Sequence, residues 1–217
     1  VADPVAVRHA LKDCTAFFHL AAIASVERSV QDPVGTHRTN LEGSIVLFEQ
    51  AARAKVQRGI YASSAAVYGD SQELPLHEAA ELKPQTPYAI DKLAGEQYLA
   101  FYHRTQRLRG TAFRFFNVFG PRQDPTSPYS GVISIFLERA LRGDPITVYG
   151  DGLQSRDFVY VGDVVSALLA GLDDRSDRPE LPVFNVGRGT GVTLQDLLTA
   201  IRGLPACASQ LEIKYGA

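Results

Sequence analysis

Short apolar runs alternate along the chain with segments of helical period, the pattern of an α/β protein. Residues 15–20 form a compact apolar run that reads as a buried strand, and 59–62 and 111–116 read as two more. Helices are predicted between them. Asp3 and Pro4 open a short one through Leu11, Asp32 and Pro33 a long one to about Lys55, and Thr86 and Pro87 another to about Thr105. Asp32 can cap its helix, and Pro33 suits the first helical position. Residues 64–85 form a long loop, and a Pro-rich loop runs on through Ser130. After Leu141 the rhythm shortens. Strands at 146–149 and 158–161 alternate with helices at 163–172 and 194–201. The chain divides softly near Asn117. Residues 1–117 read as a parallel-sheet domain and 118–217 as a smaller region, some of whose elements return to the first sheet.

Composition removes several classes. Charged residues make up 21% of the 217, with a formal net charge of −2, so no basic excess points to nucleic acid. No stretch approaches the roughly 18 apolar residues of a membrane span. Cys14 and Cys207 lie far apart and fit neither a disulfide framework nor metal spacing. Both are expected to be reduced core thiols of a cytoplasmic protein, and no metal is expected. The chain has no methionine, and residues 213–217 read as a strand running into a cut. A fragment missing both ends is expected.

The candidate chemistry centres on Tyr88 and Lys92, which share one helix face at i, i+4 spacing. A free tyrosine has a pKa near ~10 and is a poor base. A nearby ammonium favours the phenolate, so the tyrosine could act as a general base toward a substrate hydroxyl. Alone, the pair is a weak signal. Upstream, the 59–62 strand runs into Ser63 and Ser64, and ligand sites of open α/β sheets lie beyond the carboxyl ends of strands. A serine there can orient a reacting oxygen or simply cap the next turn. His19 precedes the small residues Ala21 and Ala22, which allow close approach of a cofactor, and itself reads as a hydrogen-bonded structural histidine. Asn117 sits at the mouth of a later strand.

Five motifs occur in order: HLAA (19–22), SSAAVYG (63–69), PYAIDK (87–92), RFFNVFGPRQ (114–123) and YGDGLQSRDFVYVGDV (149–164). Together they resemble the extended short-chain dehydrogenase/reductases of the NAD-dependent epimerase/dehydratase family, and are most similar to its UDP-glucose 4-epimerases and their N-acetylhexosamine relatives. The resemblance covers essentially the whole chain. It implies a Rossmann-type doubly wound parallel sheet, lacking its first β-α-β unit, with a smaller C-terminal substrate-binding region. It implies Ser64, Tyr88 and Lys92 as catalytic residues. Leu20, Ala21, Ala22, Asn40, Ser63 and Phe116, with Tyr88 and Lys92, would line an NAD site. Asn117, Val132, Ile133, Tyr149 and Arg156, with Ser64, would hold a UDP-sugar. Arg156 suits a diphosphate through its guanidinium fork, or alternatively pairs with Asp157 or Asp163. A homodimer is implied through the helices at about 33–55 and 87–105, with Leu47, Leu93 and Leu99 as candidate contacts.

The departures are informative. No strand–GxxGxxG–helix occurs in these residues, although such a loop normally holds the pyrophosphate of NAD. Val132 stands where well-known 4-epimerases have asparagine. Sugar dehydratases of the family place Asp-Glu directly after the Ser64 position, and decarboxylases typically a glutamate, because those reactions need further proton transfer. Ala65 and Ala66 cannot supply it. The resemblance therefore implies epimerisation at carbon 4 through a transient keto sugar, with UDP-glucose and UDP-galactose as the first pair to test. Alternatives are a 4-epimerase of UDP-GlcNAc or UDP-glucuronate, another NAD-dependent sugar-nucleotide dehydratase or reductase, and a non-catalytic NAD-binding protein.

Overall fold

A computed structural model describes residues 1–127, 130–174, 176–207 and 211–216. Tyr129 lies outside the described residues. The elements in order are α1 (Pro4–Ala10), β1 (Ala16–His19), α2 (Val26–Gln31), α3 (Pro33–His37), a π-helical turn (Arg38–Glu42), α4 (Gly43–Arg53), β2 (Arg58–Ser64), a 3-10 turn (Ala65–Tyr68), α5 (Pro87–Arg104), β3 (Arg109–Phe115), β4 (Asn117–Phe119), α6 (Val132–Arg142), β5 (Ile146–Tyr149), β6 (Ser155–Tyr160), α7 (Val161–Asp173), β7 (Val183–Val186), β8 (Gly191–Thr193), α8 (Leu194–Arg202) and β9 (Ile213–Gly216). They form two compact units, one of Val1–Phe115 with Val165–Val186, the other of Phe116–Val164 with Gly187–Ala217.

The first unit is built on a parallel sheet in the order β1-β2-β3-β7. Parallel strands need crossovers, and α4 and α5 supply them. The Asp3 carboxylate caps α1, and Thr86 caps α5 by accepting from the Ala89 N–H at 3.3 Å. The core gathers Phe48, Tyr61, Leu99 and Leu108, each at most 1% exposed. Each such side chain contributes about 1.5–3 kcal/mol by burial. Helix α5 lies so close to β2 that a Cβ at Gly95 would stand 2.2 Å from the Tyr61 hydroxyl. Gly69, at φ +62, ends the 3-10 turn where only glycine is unstrained.

Several expectations need correction here. Of the run at 15–20, residues Ala16–His19 form β1, which pairs with β2 and ends the strand order among the described residues, with Phe18 41% exposed there. The long helix from Pro33 carries a π turn at Arg38–Glu42, and α2 precedes it. Helix α6 and strands β4, β7 and β8 were not anticipated, nor was the 3-10 turn in the loop. Val161 opens α7 instead of ending a strand. Cys14 is exposed, while Cys207 is buried, and both thiols are free.

In the second unit β6 pairs with β4 in parallel and with β8 antiparallel, and β5 pairs with β9 in parallel. Its core joins Phe136 of α6, Ile146 and Val148 of β5, and Leu194, Leu198 and Ile201 of α8. Helix α8 begins with a reciprocal cap: Thr193 Oγ1 accepts from the Asp196 N–H at 3.0 Å, and Asp196 accepts from the Thr193 N–H at 3.1 Å. No helix among the described residues is long and apolar enough to cross a membrane.

Candidate active site

Strand β2 is buried until its last residue, Ser64, which opens at the strand's carboxyl end. Ser64 accepts from the Ala66 N–H at 3.2 Å and so caps the 3-10 turn. The same hydroxyl acts on the Tyr88 phenol, lowering its pKa against the effect of burial. Tyr88 is the second residue of α5 and is 9% exposed. One turn on, Lys92 is 4% exposed, and its Nζ donates to the Ala62 carbonyl at 2.7 Å. That Nζ lies 5.8 Å from the Tyr88 ring centroid and 5.1 Å from that of Tyr61. Ser64, Tyr88 and Lys92 are thus brought together on two adjacent elements.

The electrostatics differ from the expectation that Lys92 lowers the Tyr88 pKa. Burial raises the Tyr88 pKa, with the Ser64 hydroxyl acting against it. Lys92 donates to the Ala62 carbonyl, and loss of water dominates at the phenol. Burial also lowers Lys92 to about 8, opposed by the Asp91 carboxylate. Tyr88 is therefore a protonated phenol here, beside a lysine that is still mainly an ammonium at neutral pH.

At the end of β1, His19 is 3% exposed and its Nε2 lies 2.8 Å from Ser44 Oγ. The Ser44 hydroxyl donates to the Asn40 carbonyl, so the network assigns the hydrogen to Nε2. Burial first and Lys92 second lower the His19 pKa to about 3; it is a neutral, hydrogen-bonded histidine. Leu20 is 55% exposed, Ala21 is exposed and Ala22 is half-buried. Asn40 sits in the π turn, a form frequent at functional sites. Its side chain accepts from the Ile23 N–H at 2.8 Å and donates to the Ile23 carbonyl at 3.0 Å. It clamps the loop after β1 rather than presenting a free amide. Ser63 is likewise turned away from the strand mouth: its hydroxyl donates to Glu96.

Glu96 belongs to a buried network that the sequence reading missed. Arg114 donates to it from Nη2 at 2.8 Å and from Nε at 3.0 Å. Arg114 Nη1 donates to the Tyr68 hydroxyl at 2.9 Å and to the Glu78 carbonyl at 3.1 Å. The Tyr68 hydroxyl donates to Asn185 at 2.6 Å. The network ties α5, β3, the turn after Ser64 and β7 together. One signal was available: Glu96 continues the 88, 92, 96 face of α5.

The remaining candidates belong to the second unit. Phe116 is half-buried and Asn117 exposed at the start of β4. Val132 and Ile133 open α6 and pack partly against its core. Tyr149 is 70% exposed. Arg156 is exposed and donates to the Ser155 carbonyl at 2.8 Å; among the described residues it pairs with neither Asp157 nor Asp163. Asp157 instead accepts from the Arg188 and Gly189 N–H groups, both at 2.7 Å, and holds that turn.

The chain belongs to the NAD dependent epimerase/dehydratase family, whose model matches residues 1–187. It is 40% identical over 192 residues to a UDP-glucose 4-epimerase of Mycolicibacterium smegmatis, covering 86% of this chain and 58% of that protein. Among solved structures it is similar to a UDP-glucose 4-epimerase from Thermotoga maritima with UDP-glucose, at 35% identity and a TM-score of 0.91, covering 100% of this chain and 70% of the other. It is also similar to a UDP-N-acetylglucosamine 4-epimerase from Methanobrevibacter ruminantium, at 36% identity and a TM-score of 0.90, covering 97% and 67%. The chain spans about three fifths of the length of the curated relatives it matches.

Proposed function

We propose that the whole protein is an NAD-dependent nucleotide-sugar 4-epimerase, with UDP-glucose and UDP-galactose as its first candidate pair. The observation that carries the reading is the buried Tyr88–Lys92 pair meeting Ser64 at the end of β2, in a chain of this family. NAD, when bound, supplies a hydride acceptor. The chain's residues fit its nicotinamide end. Lys92 is fixed at the carboxyl edge of the sheet, and the Asn40 clamp on Ile23 holds the exposed Leu20 and Ala21 beyond β1.

In this reading the first unit does the chemistry. Ser64 orients the sugar hydroxyl, and Tyr88 takes its proton and later returns it. Bound substrate and the Lys92 ammonium must offset the burial that now keeps Tyr88 protonated. Asn40 and Ser63 act by supporting backbone, because their side chains are committed elsewhere. Phe116 is assigned to the cofactor. Asn117, Val132, Ile133, Tyr149 and Arg156 are assigned to the UDP-sugar, and the exposed guanidinium of Arg156, which forms no ion pair among the described residues, suits its diphosphate.

The reaction branch follows from Ala65 and Ala66. They form the 3-10 turn directly after Ser64 and carry only methyl groups. An elimination or decarboxylation would need further proton-transfer groups there. A homodimer in the cytoplasm completes the proposal, the compartment resting on the free thiols of Cys14 and Cys207. Leu99 is removed from the candidate dimer contacts, since it is 0% exposed in its own core. The exposed Ile90, Tyr98 and Phe101 of α5 take its place. The test is product analysis with UDP-glucose, UDP-GlcNAc and UDP-glucuronate. Inversion at carbon 4 of any one supports the reaction. A product lighter by water, a pentose, or net NADH would refute it.

A further inference from the structure

Asp91 is a buried acid that the mechanism above does not use. It is 3% exposed and lies on the turn of α5 between Tyr88 and Lys92. Its Oδ1 accepts from His37 Nδ1 of α3 at 2.9 Å, and its Oδ2 is buried without a hydrogen-bond partner among the described residues. A carboxylate so poorly satisfied is costly to bury unless a nearby charge compensates it. The next residue is a buried ammonium, and the two interact electrostatically.

The other charged groups around α5 have partners of their own or lie at the exposed surface. Glu96 pairs with Arg114 of β3, and Glu49 of α4 pairs with Arg53 and Arg107. Arg38 of the π turn reaches Glu42 at the exposed surface, and Glu27 and Arg28 of α2 are exposed. His19 of β1 is neutral, and Tyr61 of β2 is a buried phenol held further from ionisation. Tyr68, of the turn after Ser64, is bonded to Arg114 and Asn185.

We propose that Asp91, anchored by His37, is a positioning residue whose carboxylate keeps the buried Lys92 in its ammonium form. The inference rests on the function proposed above for its meaning, but its geometry stands without it. Without the acid, burial alone would drive Lys92 towards the neutral amine near physiological pH. A neutral amine would neither favour the Tyr88 phenolate nor donate as strongly to a hydroxyl. His37 has a side chain 58% exposed and holds the acid from the solvent side, which fixes its direction.

The test is a titration of Lys92 in the whole protein by NMR of Cε-labelled lysine, assigned with Lys92→Arg. In Asp91→Asn, which preserves the shape and the bond to His37, the Lys92 midpoint is expected to fall by about one pH unit. Asp91→Glu, which keeps the charge, restores it, and Asp91→Ser is a second neutral variant should Asp91→Asn fold poorly. A midpoint within about 0.2 unit of wild type in a folded neutral variant overturns the proposal. The pH profile of kcat for carbon-4 epimerisation gives an independent check, because the limb set by Lys92 should move with the NMR midpoint. If the wild-type protein epimerises nothing while the Lys92 midpoint shifts as expected, the functional reading fails and this inference stands.

Discussion

Removing Arg114 isolates the largest buried electrostatic feature of the first unit. Arg114→Met keeps a long apolar stem but deletes the guanidinium. Glu96, itself 3% exposed, then keeps Ser63 as its hydrogen-bond partner, and the Tyr68 hydroxyl and Glu78 carbonyl each lose a donor. Four hydrogen bonds from a charged donor, at about 1.5–3 kcal/mol each, would sum to more than such variants lose. The better guide is the cost of leaving one buried charge unpaired, about 3–5 kcal/mol. Against a typical domain stability of about 5–15 kcal/mol that is severe. The double variant Arg114→Met with Glu96→Leu removes both charges. It should recover at least about 2 kcal/mol relative to the sum of the single variants, while Ser63 and Tyr68 keep it below wild type. Urea unfolding of all four proteins measures this coupling. Additive losses within about 0.5 kcal/mol would show that the pair is not coupled, and the reasoning would be wrong.

Tyr88→Phe should fold normally and lose about 10²–10⁴ in turnover, the usual effect of removing a general base; near-normal turnover would exclude Tyr88 from that role. Gly95→Ala places a methyl 2.2 Å from the Tyr61 hydroxyl. Overpacking of about 1–3 kcal/mol should outweigh the roughly 1 kcal/mol gain in helix propensity, so a higher melting temperature would contradict the packing described. His19 is held neutral, with a folded pKa of about 3 against an ordinary 6.5. The unfolded chain therefore binds the extra proton between those values, and stability should fall on acidification from about pH 6.5 towards 3, by up to about 1.4 kcal/mol per unit. His19→Gln should flatten that slope by about one proton, and an unchanged slope would refute the assignment.

The parts of the fold that were legible in the sequence are those governed by local rules. Asp3, Asp32 and Thr86 mark helix starts because a short polar side chain before proline caps a helix in any context. The Tyr88–Lys92 spacing and the serines ending β2 were readable for the same reason, since i, i+4 periodicity and strand termini are local properties. What was missed depends on partners distant in sequence. Strand β7 is four residues long and joins β3 only after β4, α6, β5, β6 and α7 have intervened, so its pairing is not encoded locally. The Arg114–Glu96 pair looks like surface charge until burial is known. The π turn has no local composition signal, and Asn40 is explained by the Ile23 backbone it clamps. The error on the Tyr88 pKa has the same origin: spacing indicated a nearby ammonium but not how deeply the phenol is buried.

The most direct test of the proposed function is the fate of hydrogen at carbon 4. The whole protein is given UDP-glucose deuterated at that carbon, and the product is analysed by mass spectrometry and NMR. The expected result is inverted configuration with deuterium retained at carbon 4, because the hydride returns to the carbon it left. Loss of the label with inversion, or a product formed by loss of water or carbon dioxide, would contradict the mechanism assigned to Ser64, Tyr88 and Lys92.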